Sequence, residues 1–179
     1  MIGRWTRAFA GALALVAAPA LALAEDLPIS DFYGHYVGSA MSKTEDSRYL
    51  GFEMRDLDVI IEGAEKDGFV LSWTTIRRRD GDQGPKRTTR TMFFVPGMAP
   101  NVYGPEAQGD PAKGEEVSWT RIDDDTLFTY LMAVNDRGDY ELQIYARSLT
   151  KGGMALEFGR FRDGERVRKV RGKLKRVED

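Results

Sequence analysis

Apolar and polar residues alternate along most of the chain beyond residue 30, a pattern typical of β-strands that bury one face. Residues 56–62 place Leu57, Val59 and Ile61 on one face and mainly acidic side chains on the other. A second alternating run, residues 69–76, follows the turn sequence AEKDG. The two runs are predicted to form a hairpin, and the chain is predicted to be all-β.

The same alternation recurs in further segments that are separated by short turns rich in Asp, Gly and Asn. With the opening run after Phe32 and the end of the chain, they make about eight or nine short strands without an amphipathic helix between them. Closure into an antiparallel up-and-down β-barrel of about eight strands removes the unpaired edges of an open sheet. A β-sandwich remains the alternative. The further segments are residues 87–95, 115–122, 126–134, 139–149 and 154–161.

The last segment, residues 166–177, has two interpretations. Val167, Val170 and Leu174 have helical spacing. Gly172 at the centre weakens a helix by about 1 kcal/mol relative to Ala, and the short turn RDGE before the segment favours a hairpin partner. We therefore predict a strand, with a helix as the alternative.

The longest connection between predicted strands, residues 96–115, is rich in Gly and Pro. Loops of this length in compact domains are usually either functional or mobile. The segment is therefore interpreted as a lid over the mouth of the barrel or, alternatively, as an ordinary flexible insertion.

The first residues of the chain, 1–24, have the pattern of a cleavable secretory signal peptide. Arg4 and Arg7 precede an apolar stretch that ends in the small-residue sequence ALA, residues 22–24. The apolar stretch is shorter than the roughly 20 residues that span a bilayer. We predict cleavage after residue 24, a periplasmic or secreted location, and a single domain over residues 25–179.

Charge and cysteine content narrow the possible functions. The chain has 26 Lys and Arg against 28 Asp and Glu, and loss of Arg4 and Arg7 with the leader lowers the net charge from −2 to about −4. This balance does not suggest a nucleic-acid partner. The chain has no Cys and hence no disulfide, so its stability must come from a core, which a domain of about 150 residues can supply.

The run FYGHYVGSA, residues 32–40, places Gly34 and Tyr36 on one face of the opening strand. Glycines between aromatic residues let a strand bend, or let a large side chain lie against it. The run resembles the first strand of the lipocalin and avidin (calycin) group of barrels, although Tyr36 stands where that group usually has Trp. The resemblance implies a barrel with one closed end. The whole chain also resembles small exported proteins of Gram-negative bacteria that have no assigned function.

The residue types offer little catalytic chemistry. A Ser or Cys nucleophile needs a His base, and the chain has no Cys and only His35, on the predicted outer face of the first strand. Asp123, Asp124 and Asp125 fall in a predicted turn, where solvation explains them better than a metal ion does. No glycine-rich phosphate loop opens a helix. We predict a non-enzymatic protein without cofactor or metal.

Aromatic and apolar residues on the predicted inner faces are the candidates for ligand binding. A small barrel either fills its interior with such side chains or holds one small ligand, so core packing is the alternative to a small hydrophobic ligand. Arg160 is expected either to point inward and lie over the ring of Tyr36 in a cation–π contact, or to reach water from the end of its strand. The candidate ligand-binding residues are Tyr36, Trp73, Trp119, Tyr140, Phe158 and Arg160.

Residues 126–134 are apolar on both faces, so the outer face of this strand is predicted to be covered. The expected cover is the long loop, the terminal segment, a second copy of the chain or another envelope protein. The candidate interface residues are Phe128, Tyr130 and Met132. The alternative function is recognition of a protein partner or a membrane surface, through this outer strand or through the basic C-terminal hairpin.

The C-terminal hairpin is strongly basic on a protein that is acidic as a whole, with most of its Lys and Arg between residues 160 and 176. A helix of this composition is typical of a membrane-surface segment. In a strand, the same side chains protect against edge-to-edge pairing. Both interpretations remain open.

Overall fold

The computed structural model describes residues 26–44, 52–77 and 84–178. The predicted signal peptide lies outside these ranges. Two short 3₁₀ helices, Ile29–Phe32 and Pro111–Lys113, accompany the strands, and within the described ranges no helix is both long and apolar enough to cross a membrane. The strands are β1 Gly34–Thr44, β2 Phe52–Gly63, β3 Phe69–Arg77, β4 Lys86–Pro96, β5 Val102–Gly104, β6 Val117–Asp123, β7 Thr126–Val134, β8 Tyr140–Thr150, β9 Gly153–Arg162 and β10 Glu165–Val177.

The ten strands form one closed ring in which consecutive strands pair antiparallel and β10 returns to pair with β1. The prediction of an antiparallel up-and-down barrel is therefore confirmed, and the alternative of a β-sandwich is excluded. The strand count is ten rather than about eight.

One end of the barrel is filled with apolar side chains. The 3₁₀ helix before β1 places Phe32 over this end, where it is fully buried. Phe69 at the start of β3 and Phe94 near the end of β4 are also fully buried and stack with ring centroids 5.3 Å apart. This end is closed, so only the opposite end leaves room for a ligand.

The segment before the 3₁₀ helix is fixed to the β6–β7 turn. The backbone N–H of Leu27 donates to the carbonyl of Asp124 (3.0 Å). The Asp26 carboxylate accepts from the Asp124 backbone N–H (2.7 Å) and from the side-chain amide of Asn101 (2.8 Å). The hydrogen bond from Asp124, and to a smaller extent that from Asn101, lowers the pKa of Asp26. Together they hold the closing segment in place.

The seam between β1 and β10 depends on the small residues of the opening strand. A Cβ at Gly38 would lie only 2.1 Å from the carbonyl oxygen of Lys173, so the strands come together this closely only with glycine at this position. Tyr36 is fully buried and donates its hydroxyl to the Phe32 carbonyl (2.9 Å). The cation over its ring is Arg176, 5.7 Å from the centroid, and not Arg160 as the sequence predicted.

The C-terminal segment is a strand, as predicted, and the helical alternative is wrong. Val170 and Leu174 are buried in the barrel, whereas the basic residues between them point outward. β10 pairs with β9 on one side and β1 on the other. Protection of a free edge therefore does not explain these basic residues.

The long connection, residues 96–115, contributes to the wall instead of covering the mouth. Its residues Val102–Gly104 form β5, which fills the gap between β4 and β6. Further on, Gln108 accepts from the backbone N–H of Ser118 (3.0 Å) and donates to its carbonyl, so the segment is fastened along β6. In the described chain it contributes no residue to the cavity lining, which does not support the lid interpretation.

Candidate functional site

The open end of the barrel leads into a cavity of about 370 Å³, which lies in the size range of small-molecule sites. Its walls come from β2, β3 and β4 on one side and from β8, β9 and β10 on the other. The lining combines apolar and aromatic side chains with a set of cations. The cationic lining residues are Arg55, Arg77, Arg90, Arg147, Arg160 and Arg168.

An aromatic group forms one part of the wall. Trp73 and Tyr145 lie with ring centroids 5.2 Å apart, and Tyr145 lies 4.7 Å from Phe158. Burial raises the pKa of the Tyr145 hydroxyl, so this group is neutral at physiological pH. It donates to the side-chain oxygen of Gln143 (3.1 Å). These rings offer a flat apolar surface beside the arginines.

Arg147 is the most deeply buried of the six arginines, with 1% of its surface exposed. Its guanidinium carbon lies 5.3 Å from the Trp73 ring and 5.1 Å from the Tyr145 ring. Nη1 donates to the Thr129 hydroxyl (2.9 Å), and Nε has no hydrogen-bond partner. Burial lowers the pKa of Arg147 to about 10, so it stays charged at neutral pH. No ion pair with a carboxylate in the described chain balances this charge.

The arginines at the mouth share a few carboxylates. Glu53 accepts from Arg55 (2.6 Å) and from Arg77 (2.6 Å). Burial raises the pKa of Glu53, but the hydrogen bonds from Arg77 and Arg55 outweigh burial and lower it. Glu53 thus balances the charge of at most one of the two arginines.

Of the three remaining arginines, Arg160 and Arg168 are also underpaired, whereas Arg90 has its own carboxylate partner. Arg160 Nε lies 3.3 Å from Glu141 Oε1, but its geometry leaves this nitrogen without a hydrogen bond. Arg168 has a lowered pKa because it is partly buried and lies near other arginines. Arg90 pairs with Glu116. In the described chain, six arginines thus face three carboxylates, Glu53, Glu116 and Glu141.

The structure brings together some of the residues predicted to bind ligand. Trp73, Phe158 and Arg160 line the cavity. Tyr36 is also inside the barrel, but it packs in the closed end. The predicted inner faces of β3 and β9 are therefore confirmed. The predicted inner face of β1 is also inside the barrel, but it packs in the core and does not line the cavity.

Trp119 and Tyr140 were predicted to face inward, and both predictions are wrong. Trp119 lies outside because Ser118 and Thr120, its neighbours in β6, occupy the buried face. Its ring stacks on that of Tyr130 at 4.9 Å. Tyr140 begins β8 and is 37% exposed.

Residues Phe128, Tyr130 and Met132 lie on the outer face of β7, because Leu127, Thr129 and Leu131 between them are buried. The rings of Phe128 and Tyr130 stack at 6.1 Å, which extends the contact between Tyr130 and Trp119. Contact of this outer aromatic cluster with a partner stays a prediction.

Sequence reasoning missed the arginine cluster, although the alternation contains a signal for it. Arg55 lies two residues before the inward Leu57, and Arg77 lies four residues after the inward Trp73. In β8 the inner face is the polar one, with Arg147 and Tyr145 inside. The alternation identifies these positions if it is followed to the ends of the strands. It must also be allowed that the inner face is the more polar one.

No protein-family model matches the chain, and no curated protein sequence matches it. The structure is similar to that of a protein of unknown function from the DUF3598 family of Nostoc punctiforme, at 18% sequence identity and a TM-score of 0.57. The match covers 85% of this chain and 50% of that protein, so the chain spans about half of its length. At this identity the similarity shows a shared fold alone.

A 12:0-ACP thioesterase from Umbellularia californica also matches, at 7% identity over 80% of this chain and 75% of that protein. Its TM-score is 0.18, so this match does not show a shared fold.

Proposed function

We propose that the barrel binds a small amphiphilic anion, with the acidic group on the arginine cluster and the apolar part against Trp73, Phe158 and neighbouring aliphatic side chains. The observation that carries the proposal is the environment of Arg147. A buried charge is costly unless it is paired, and Arg147 has two aromatic faces and one hydroxyl but no carboxylate. An anionic ligand supplies the missing counter-charge.

This proposal refines the small hydrophobic ligand expected from the sequence. A neutral hydrocarbon would leave Arg147 without a counterion and would exclude water from it. A carboxylate or a similar oxyanion accepts two parallel hydrogen bonds from one guanidinium, which gives both charge and orientation. The apolar walls then select for an acid that carries a chain or a ring.

The proposal is for a binding protein rather than an enzyme. In the described chain, the cavity lining contains arginines, aromatic and aliphatic residues, threonines and one glutamine, but neither histidine nor carboxylate. It therefore offers no evident general base beside a nucleophile. This composition supports retention of an acid more than its chemical conversion.

A calycin-like carrier in the periplasm is the wider context of this proposal. The closed end, with Gly34 and Tyr36 in the first strand, supports the likeness to the lipocalin and avidin group. Export rests on the leader pattern of residues 1–24. A carrier of this kind holds a small acid away from solvent after export.

Binding of decanoate and of decanol, measured by isothermal titration calorimetry, tests the proposal. The two ligands share a chain and differ in charge. Because a hydrogen bond to a charged group contributes about 1.5–3 kcal/mol, we expect decanoate to bind at least about tenfold more tightly. The variant Arg147→Met should lose this preference, whereas Arg137→Met, at an exposed turn, should retain it.

Equal affinity for decanoate and decanol would contradict an anion site and favour the hydrophobic ligand. Failure of the wild-type protein to bind either probe, or an unchanged preference in Arg147→Met, would overturn the proposal. The variant Arg147→Lys keeps the charge without the planar fork, and we expect intermediate affinity.

A further inference from the structure

The outer face of β10 carries a row of like charges, which we call the basic stripe: Lys169, Arg171, Lys173 and Lys175. Successive outward side chains on a strand stand about 7 Å apart, so these charges are close neighbours. Lys43 of β1 lies directly opposite Lys169 and adds a fifth charge.

The basic stripe is largely uncompensated. Glu157 of β9 lies 3.8 Å from the Lys169 ammonium and 3.0 Å from Arg171 Nε. Lys173 and Lys175 make no ion pair with the described residues. The nearby acids of β2 lie on the far side of β1, where Asp58 pairs with His35 (2.9 Å).

The barrel itself gives no structural reason for the stripe. Both edges of β10 are paired, so its lysines protect no free edge. Like charges directly opposite each other on neighbouring strands, as Lys43 and Lys169 are, are destabilising. A row of them on a chain with net charge −2 therefore indicates a function on the outside of the wall.

Exposed apolar side chains accompany the stripe. Met41 is 52% exposed and Met54 is 62% exposed, and the two are directly opposite each other on β1 and β2. Met41 is also the register partner of Arg171, and Val37, which is likewise exposed, is that of Lys175. Cations beside exposed apolar side chains are the combination with which proteins bind anionic membrane surfaces.

We propose that this face docks the barrel on the surface of an anionic phospholipid bilayer. Lys173 and Lys175 contact lipid phosphates, and Met41 and Met54 enter the boundary between headgroups and acyl chains. Charge complementarity selects this occupant, because the rest of the acidic protein is repelled by such a surface. The proposal concerns the outside of the barrel and does not rest on ligand binding in the cavity.

Co-sedimentation with lipid vesicles tests this proposal. The purified protein should sediment with vesicles of phosphatidylcholine and phosphatidylglycerol, remain in solution with phosphatidylcholine alone, and be released by salt. Reversal of two charges in Lys173→Glu/Lys175→Glu should weaken binding at least about tenfold. The control Arg87→Glu/Arg137→Glu makes the same change in net charge on other exposed parts of the barrel and should bind as the wild type does.

A wild-type protein that does not sediment with the anionic vesicles, or that sediments equally with both kinds, would overturn the proposal. So would equal losses in the stripe and control variants. Circular dichroism establishes that both variants are folded, and Met41→Ser/Met54→Ser supplies a second test that leaves the charge unchanged. Arg147→Met should bind vesicles normally, which separates docking from uptake of a single lipid into the cavity.

Discussion

The guanidinium carbon of Arg147 lies 5.3 Å from the centroid of the Trp73 ring, inside the barrel. The two residues come from β8 and β3, on opposite sides of the ring of strands, so their contact crosses the interior. A desolvated cation–π contact contributes about 2 kcal/mol, whereas burial of an ion costs several. The aromatic contacts therefore offset only part of the cost of burying this charge.

The first prediction concerns the stability of the protein without ligand. Because Arg147 is buried without a carboxylate, Arg147→Met should leave the free energy of unfolding unchanged or raise it by about 1–2 kcal/mol. Urea unfolding followed by fluorescence measures this change. Destabilisation by several kcal/mol would show that Arg147 stabilises the folded barrel, and would contradict a role in ligand binding alone.

The second prediction concerns the seam of the barrel. A methyl group at Gly38 would meet the Lys173 carbonyl oxygen at 2.1 Å, so Gly38→Ala must separate β1 from β10. We expect a loss of about 2 kcal/mol or more in the free energy of unfolding. The matched control is Gly84→Ala, where an added Cβ meets no atom within 4 Å, and a similar loss there would contradict the explanation.

The third prediction concerns acid pH. The net shift places the pKa of Glu53 below its ordinary value of 4.5, because hydrogen bonds from Arg77 and Arg55 outweigh burial. A lowered pKa in the folded state stabilises the protein above the ordinary value, and this contribution is lost as the pH falls through the folded-state pKa. The stability difference between wild type and Glu53→Gln, measured by urea unfolding, should therefore shrink below pH 4.5. If the difference in unfolding free energy between the two proteins does not change with pH, the arginine contacts do not stabilise the ionised form of Glu53.

The fourth prediction concerns the outer aromatic cluster. We expect the wild-type protein to self-associate through Phe128 and Tyr130, and Phe128→Asp to reduce the measured mass because a charge then lies in the contact. Size-exclusion chromatography with light scattering gives both masses. Phe128 is already on the outer face, so the variant should fold. A monomeric mass for both the wild-type protein and Phe128→Asp would contradict this prediction.

Period-two alternation was sufficient to predict the all-β fold and the inner faces of several strands. It succeeded for Trp73 and Phe158, because the residues two positions before them, Leu71 and Leu156, are also apolar. It failed in β8, where the buried face contains Gln143, Tyr145 and Arg147. An alternating sequence does not itself indicate which face is inner, and apolar content misleads where the interior has a charged site.

The arginine cluster escaped prediction for a related reason. Arg55, Arg77 and Arg168 belong to three different strands and come together only when the ring closes. No local spacing identifies such a group, because the separation of Arg55 and Arg168 along the chain is more than half of its length. The short β5 was missed because its three residues give too little alternation to detect.

Pairing of His35 with Val177 joins the beginning of the described barrel to its end. This contact joins residues that are far apart along the chain, and folds dominated by distant contacts form slowly. Arg168 and Val170 of the last strand also line the cavity. The interior therefore cannot acquire its final shape until β10 is in place, and a chain truncated before residue 165 would expose two unpaired strand edges and an incomplete cavity, which makes it prone to aggregate.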